Sequence, residues 1–216
     1  MKAQPAKLLV FDLDGTLIDS RSDLAASINH MRMQYELEPL PLETVTSFVG
    51  DGMYKLVERS LAGVEHNPDE ALAIYRAYYF AHSTEHTVLY DGVDEGLCRL
   101  ADAGFALAVL TNKPGEPSRH ILEHFGLAGL FWAIIGGGDV PSLKPSPDGV
   151  EEILRLTGCR PDHAWMVGDH CTDLAVAQNA GIRSAFVTYG FGGERGYKPD
   201  AYFASFPELV GYFVGS

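Results

Sequence analysis

The sequence contains few cysteines, few basic residues and no long apolar run. Its three cysteines, Cys98, Cys159 and Cys171, are odd in number and widely spaced, so they do not form a disulfide framework and indicate a reducing compartment. The first apolar run, residues 8–11, is too short for a membrane helix or for the core of a signal peptide. We therefore expect a cytoplasmic protein with no membrane partner.

Basic residues are scarce relative to acidic ones. The 216 residues include 16 Lys and Arg against 29 Asp and Glu, which gives a formal net charge of -13. This balance argues against nucleic acid as a partner, because binding a phosphate backbone needs a basic face. A small phosphorylated substrate is still compatible with it, because acids gathered around a divalent cation and one or two lysines can attract phosphate.

Short apolar runs alternate with stretches of helical spacing along most of the chain, which is long enough for one large domain or for a core with a smaller domain. Alternation of this kind predicts a parallel α/β sheet that is covered on both faces. The predicted strands are residues 8–11, 106–110, 132–135, 164–167 and 185–187. The predicted helices are residues 94–103, 117–125, 147–156 and 174–180, followed after residue 200 by a last short strand and a helix.

One interval interrupts this alternation. Between Leu17 and Tyr90 we find no good strand, and apolar residues such as Leu24, Ile28 and Met31 recur at helical spacing. Long insertions near the carboxyl end of a strand tend to be functional. We therefore interpret this interval as a helical insert that acts as a lid, with a long crossover connection as the alternative.

Two acidic motifs follow predicted strands. Asp12 and Asp14 come directly after the first strand, and Asp169 follows the strand at 164–167. Ligand sites of open parallel sheets lie at the carboxyl ends of the strands. Close carboxylates repel one another, so a site that keeps them ionised usually holds a cation, and oxygen ligands suit Mg²⁺. Asp173, in the first turn of the next helix, could cap that helix or support the metal site.

Two further motifs supply groups that suit phosphate. Thr111 and Asn112 lie at the tip of another strand and can donate hydrogen bonds to phosphate oxygens. Lys144, which precedes a proline, offers a positive point charge. Each motif alone has an ordinary structural explanation, as a turn, a helix start or an exposed loop. Four motifs in chain order, each at the mouth of a predicted strand, favour a phosphate site.

The four motifs together resemble those of the haloacid dehalogenase superfamily of aspartate-nucleophile phosphatases. The pattern of that family is DxDGTL, a Thr or Ser followed by Asn, then Lys-Pro, then GDxxxD, and all four are present. The resemblance covers essentially the whole chain. It implies a Rossmann-like core formed by residues 1–17 and 91–216, with a small α-helical cap, residues 18–90, inserted after the first strand.

The resemblance also implies a role for each site residue. Asp12 would be the nucleophile that forms an aspartyl-phosphate, and Asp14 the general acid and base. Mg²⁺ would be bound by Asp12, by the Asp14 backbone carbonyl and by Asp169. Thr111, Asn112 and Lys144 would hold the phosphoryl group. Asp173 would support the site by positioning the metal or Lys144.

The cap loop around Gly50 and Gly52 is similar to that of the phosphoglycolate phosphatases, and its backbone N–H groups could contact a small carboxylate. A helix C-cap and turn is the alternative explanation for these glycines. His170, which we expect at the rim of the site, and Cys171 depart from the residues that are common in the family.

We therefore expect Mg²⁺-dependent hydrolysis of a small phosphate monoester, with 2-phosphoglycolate as the first candidate. Within the same chemistry, a sugar phosphate, a nucleotide, pyrophosphate or a β-phosphoglucomutase-like phosphomutase reaction stays open. A phospho-accepting receiver module or a regulatory binding protein is the alternative of another class. Receiver modules are much shorter and have no helical insert. The sequence leaves monomer and homodimer undecided.

Overall fold

A computed structural model of the protein describes residues 7–215, and its centre is a sheet of six parallel strands in the order β5-β4-β1-β6-β7-β8. All five predicted strands are present, and so is the short strand expected after residue 200. This confirms the predicted α/β class with a Rossmann-like parallel sheet. The strands are β1 Lys7–Phe11, β4 Phe105–Pro114, β5 Ala133–Gly137, β6 Ala164–Gly168, β7 Arg183–Val187 and β8 Ala201–Phe203.

Helices cover both faces of this sheet, so the central strand β1 is almost continuously apolar and buried from Leu8 to Phe11. The helices are α5 Val93–Asp102, α6 Gly115–His124, α7 Asp148–Thr157, α8 Cys171–Ala180 and α9 Phe206–Val214. Helix α8 begins three residues before the predicted start at Leu174, because His170 is its N-cap. Among residues 7–215, every helix is too short or too polar to traverse a lipid bilayer.

Four helices between β1 and β4 form a separate layer with its own apolar core. They are α1 Arg21–Gln34, α2 Leu42–Thr46, α3 Met53–Ser60 and α4 Pro68–His82. Their buried residues include Ile28, Leu61, Tyr75 and Tyr79. The division into a core and a cap at residues 17/18 and 90/91 stays a prediction, with which this separate apolar cluster is consistent.

The helical layer is joined to the sheet by a two-stranded antiparallel ribbon, β2 Ile18–Asp19 and β3 Val88–Leu89. Our expectation of no strand between Leu17 and Tyr90 was therefore wrong. Strands of two residues have no periodicity to recognise, and the paired residues are separated by 69 and 71 positions in the chain. The buried carboxylate of Asp23 strengthens this junction, because it accepts hydrogen bonds from the Thr87 backbone (2.9 Å) and hydroxyl (2.7 Å).

Candidate active site

The two acidic motifs meet because β1 and β6 are neighbouring parallel strands. Asp12 follows β1, and its backbone N–H donates to Val167 O of β6 (2.8 Å). Asp12, Asp169 and Asp173 are all buried and offer carboxylate oxygens that lie within 4.8 Å of one another. The predicted meeting of the strand ends therefore brings three separated acids into one cluster.

The Lys-Pro motif contributes a buried ammonium group to this cluster. Lys144 Nζ lies 2.9 Å from Asp12 Oδ1 and 2.6 Å from Asp173 Oδ1, and its side chain is 1% exposed. Asn112 fixes the lysine backbone, since its amide oxygen accepts from Lys144 N (2.7 Å) and its amide nitrogen donates to Lys144 O (3.0 Å). Asp173 also accepts from the His170 backbone N–H (3.0 Å). Asp173 and Asn112 therefore position Lys144 beside Asp12.

Burial makes ionisation of the acids unfavourable. It raises the pKa of Asp12 to about 6, although the Lys144 charge opposes the rise. It also raises the pKa of Asp169 well above its ordinary value, and the charges of Asp12 and Asp173 add to that effect. Burial disfavours the charged form of Lys144, but the carboxylates of Asp12 and Asp173 outweigh it and raise the pKa of this lysine. The cluster therefore stabilises positive charge.

The chemistry of the donor set fits a divalent cation. When all six groups are ionised, four carboxylates face two ammonium groups in the site, which leaves an excess of two negative charges. These groups belong to Asp12, Asp14, Asp169, Asp173, Lys113 and Lys144. Asp12 Oδ1 is buried and makes no hydrogen bond within the described part of the chain, despite its ion pair with Lys144. Asp169 is oriented by the backbone N–H groups of Phe191 (3.0 Å) and Gly192 (2.8 Å). Oxygen donors with this excess charge match Mg²⁺.

The structure also reveals a site residue, Lys113, whose role could not be assigned from the sequence motifs. Lys113 Nζ donates to both carboxylate oxygens of Asp14, at 2.6 and 2.9 Å, and its side chain is 3% exposed. The Ser20 hydroxyl, at the start of α1, donates to the same carboxylate. Alternate residues of a strand share a face, so Lys113 could have been placed on the same side of β4 as Thr111. Thr111 is buried, and its hydroxyl oxygen accepts from the Lys113 backbone N–H (3.2 Å).

A cavity lies between this cluster and the helical layer, and the loop around Gly50 reaches across it. Gly50 O accepts a hydrogen bond from the Asn112 amide (2.9 Å). Both Gly50 (φ +118°) and Gly52 (φ +89°) adopt backbone conformations that favour glycine, and a Cβ on Gly50 would lie 2.7 Å from the His170 ring. Leu24 and Tyr79 are among the cavity residues on the helical side. The predicted cap loop therefore contacts the site through its backbone.

The two residues that depart from the family pattern have structural roles here. His170 is 5% exposed, so our expectation of a rim residue was wrong. Its Nδ1 accepts from the Thr172 backbone N–H (3.3 Å) and caps α8, while its ring packs under Gly50. Burial lowers the pKa of His170 and raises the pKa of the half-buried Cys171 thiol. At neutral pH His170 is therefore an uncharged wall of the cavity, and Cys171 is a protonated thiol.

Comparison with known proteins places this site in a family. The model of the haloacid dehalogenase-like hydrolases matches residues 9–187. The phosphoglycolate phosphatase of Psychrobacter arcticus is 36% identical and covers 96% of both chains, and that of Colwellia psychrerythraea is 37% identical over 97% of this chain and 98% of its own. The crystal structure of a predicted phosphoglycolate phosphatase from Haemophilus somnus 129PT is similar with a TM-score of 0.90, at 32% identity over 95% of this chain and 97% of that one. The chain belongs to the family of haloacid dehalogenase-like hydrolases.

Proposed function

We propose that this phosphoric monoester hydrolase converts 2-phosphoglycolate to glycolate and phosphate through an aspartyl-phosphate on Asp12. The observation that carries the proposal is the Asp12 carboxylate, held 2.9 Å from Lys144 Nζ beneath a cavity that a glycine loop closes. The family resemblance supplies the chemical roles, and the relatives named above supply the substrate. A small substrate suits a site in which the loop backbone approaches within hydrogen-bond distance of the core.

In the first step, an oxygen of Asp12 attacks the phosphorus atom, and the bond from phosphorus to the glycolate oxygen breaks. With a pKa of about 6, most Asp12 is ionised at neutral pH and is available as the nucleophile. Asp14 donates a proton to the departing oxygen, so that this oxygen leaves as the neutral hydroxyl group of glycolate. Thr111 and Lys144 hold the phosphoryl oxygens, and the Lys144 charge compensates the negative charge that gathers on them.

In the second step, water attacks the phosphorus atom of the aspartyl-phosphate. Asp14, now deprotonated, accepts the proton of this water, and the bond between phosphorus and the Asp12 oxygen breaks. Phosphate leaves and the Asp12 carboxylate is regenerated, so one water is consumed for each ester. Asp14 can serve both steps because Lys113 and Ser20 hold its carboxylate in one place beside the reacting atoms.

Asp12, Asp169 and the backbone carbonyl of Asp14 would hold Mg²⁺, and Asp173 would support them through Lys144. When bound, this ion would neutralise charge on the phosphoryl oxygens and offset negative charge of the carboxylate cluster. Asn112 positions the Lys144 backbone and the Gly50 carbonyl, which we propose as its contribution to phosphoryl binding. Gly50 and Gly52 let the cap loop cover the substrate and exclude bulk water from the first step.

The test is phosphate release from a panel of esters, with Mg²⁺ and with EDTA. The panel contains 2-phosphoglycolate, sugar phosphates, nucleoside monophosphates and pyrophosphate, and Asp12→Asn is the inactive control. We expect Mg²⁺-dependent release with 2-phosphoglycolate having the highest kcat/KM, and no turnover by the variant. A higher kcat/KM for another ester would refute 2-phosphoglycolate as the preferred substrate. Transfer of phosphate between positions of a sugar would indicate a mutase, and a long-lived phospho-Asp12 without turnover would indicate a receiver-like module.

A further inference from the structure

The site contains a second buried lysine, Lys113, which the proposed chemistry uses only to hold Asp14. Lys144 faces Asp12 and Asp173, where the phosphoryl group is handled. Lys113 faces Asp14 instead, on the side of the helical layer. Among the described residues that line the cavity, Lys113 is the only Lys or Arg. Lys113 therefore lies where a part of the substrate other than its phosphate would enter the cavity, although its ammonium group is already paired with Asp14.

The surroundings of Lys113 strengthen the electrostatic interactions of its ammonium group. Its ammonium group donates to two oxygens of Asp14 and lies 4.8 Å from the centre of the Tyr79 ring of helix α4. The cavity wall beyond it is largely apolar and includes Leu24, Leu56 and Tyr75. An ion pair in such surroundings is screened much less than one at the surface. A substrate anion that accepted a hydrogen bond from Lys113 would therefore interact with it more strongly than with a surface lysine.

The chemistry of the leaving group determines where such an anion would lie. Asp14 must come within about 2.6–3.2 Å of the departing oxygen to donate its proton. Lys113 Nζ lies 2.6 and 2.9 Å from the two oxygens of Asp14. In the phosphate ester of an α-hydroxy acid, the carboxylate is separated from the departing oxygen by a single carbon. When Asp14 contacts the departing oxygen, this geometry brings the carboxylate within reach of Lys113, the group that holds Asp14.

We propose that Lys113 recognises the carboxylate of the substrate and thereby selects phosphate esters of α-hydroxy carboxylic acids. The inference rests on the proposed function and adds a specificity-determining residue to it. One N–H group of the Lys113 ammonium, which now faces Asp14 or the Tyr79 ring, would instead donate a hydrogen bond to the substrate carboxylate. Lys113 would keep a second hydrogen bond to Asp14. Lys113 lies on strand β4 and Tyr79 on helix α4, so the proposed carboxylate position is at the boundary between the sheet and the helical layer.

The experiment compares two esters that differ in charge and little in size, 2-phosphoglycolate and 2-hydroxyethyl phosphate. We expect the wild-type kcat/KM to favour the carboxylate ester by about 100-fold, which corresponds to about 2.7 kcal/mol at 1.36 kcal/mol per tenfold change. Lys113→Met should abolish most of this preference. Loosening of Asp14 slows both esters alike, so the ratio isolates recognition of the carboxylate. Lys113→Arg should retain part of the preference, because it keeps the charge in a different shape.

The matched control is Lys55→Met, which removes an exposed cap lysine that pairs with Glu58 and should leave the ratio unchanged. Should Lys113→Met fail to fold by circular dichroism, inhibition of the wild type decides instead. Glycolate should then inhibit at least tenfold more tightly than ethylene glycol, and equal inhibition refutes the inference. A folded Lys113→Met variant with the wild-type ratio also refutes it. Failure of the proposed function is distinct, because the wild type would then release no phosphate from 2-phosphoglycolate while hydrolysing other esters.

Discussion

The nucleophile should destabilise the folded protein in the absence of metal. Burial raises the pKa of Asp12 from its ordinary value of 3.8 to about 6, so the folded state holds this proton more tightly than the unfolded chain does. The free energy of unfolding therefore falls as the pH rises from about 4 to 6, and the loss is complete at pH 7. Asp12→Asn removes the ionisation and keeps nearly the same shape. The inactive variant should thus be more stable than the wild type.

The size of this effect follows from the change in pKa. A rise from 3.8 to about 6 corresponds to about 3 kcal/mol at 1.36 kcal/mol per pH unit. For a chain of this length we expect a Tm about 6–12 °C higher at pH 7. At pH 4 the wild-type carboxyl is protonated in the folded state, so the difference should nearly vanish. The loss of stability would be the cost of keeping a charged nucleophile in a buried site.

Urea unfolding in EDTA, measured between pH 4 and pH 7, tests this reasoning. Both proteins are compared at each pH, and Asp102→Asn, which changes an exposed acid at the end of α5, is the control that should follow the wild type. A variant no more stable than the wild type at pH 7 would refute the argument from burial. So would a difference that stays constant down to pH 4, because it would then not arise from ionisation of Asp12.

Three further predictions concern the same site. Lys144→Met leaves two buried carboxylates without their cation, so urea unfolding at pH 7 should show a loss of about 3–5 kcal/mol; a loss below about 1 kcal/mol would contradict this. Gly50→Ala should lower kcat/KM for 2-phosphoglycolate at least tenfold, because its Cβ would meet the His170 ring, whereas Gly63→Ala, at a glycine that also has a positive φ but open space around it, should not; equal effects would exclude the His170 contact as the cause. Mg²⁺ at 100 times its Kd should stabilise the wild type by about 2.7 kcal/mol, and Asp169→Asn should abolish most of this gain in a thermal melt; an unchanged gain would remove Asp169 from the metal site.

The sheet could be predicted because its strands are buried on both faces and are therefore continuously apolar. Residues 8–11 and 164–167 are short runs of this kind, and both are strands of the structure. The acids after them could be assigned to one site, because neighbouring parallel strands end at the same edge. The start of α8 was harder to predict, since a histidine is an unusual N-cap. The ribbon of Ile18–Asp19 with Val88–Leu89 was missed because two residues carry no pattern.

The roles of individual side chains within the site depended on contacts between distant segments. Lys113 lies beside a threonine and an asparagine in the sequence, but its contact with Asp14 spans 99 residues and its contact with Tyr79 spans two layers of the protein. The burial of His170 requires Gly50 from the cap loop, 120 residues away. Local propensity contains no information about such pairs, because they form only when the helical layer packs on the sheet.

The sequence by itself determined the α/β class, the parallel sheet and the chemical kinds of group at its edge. These follow from apolar periodicity and from acids at strand ends, which are properties of short segments. The tertiary structure alone decided which cation faces which carboxylate, with Lys144 on Asp12 and Lys113 on Asp14. The physical reason is that burial and the distance between charges set the strength of these pairs, and both quantities come into existence only when separate segments pack together.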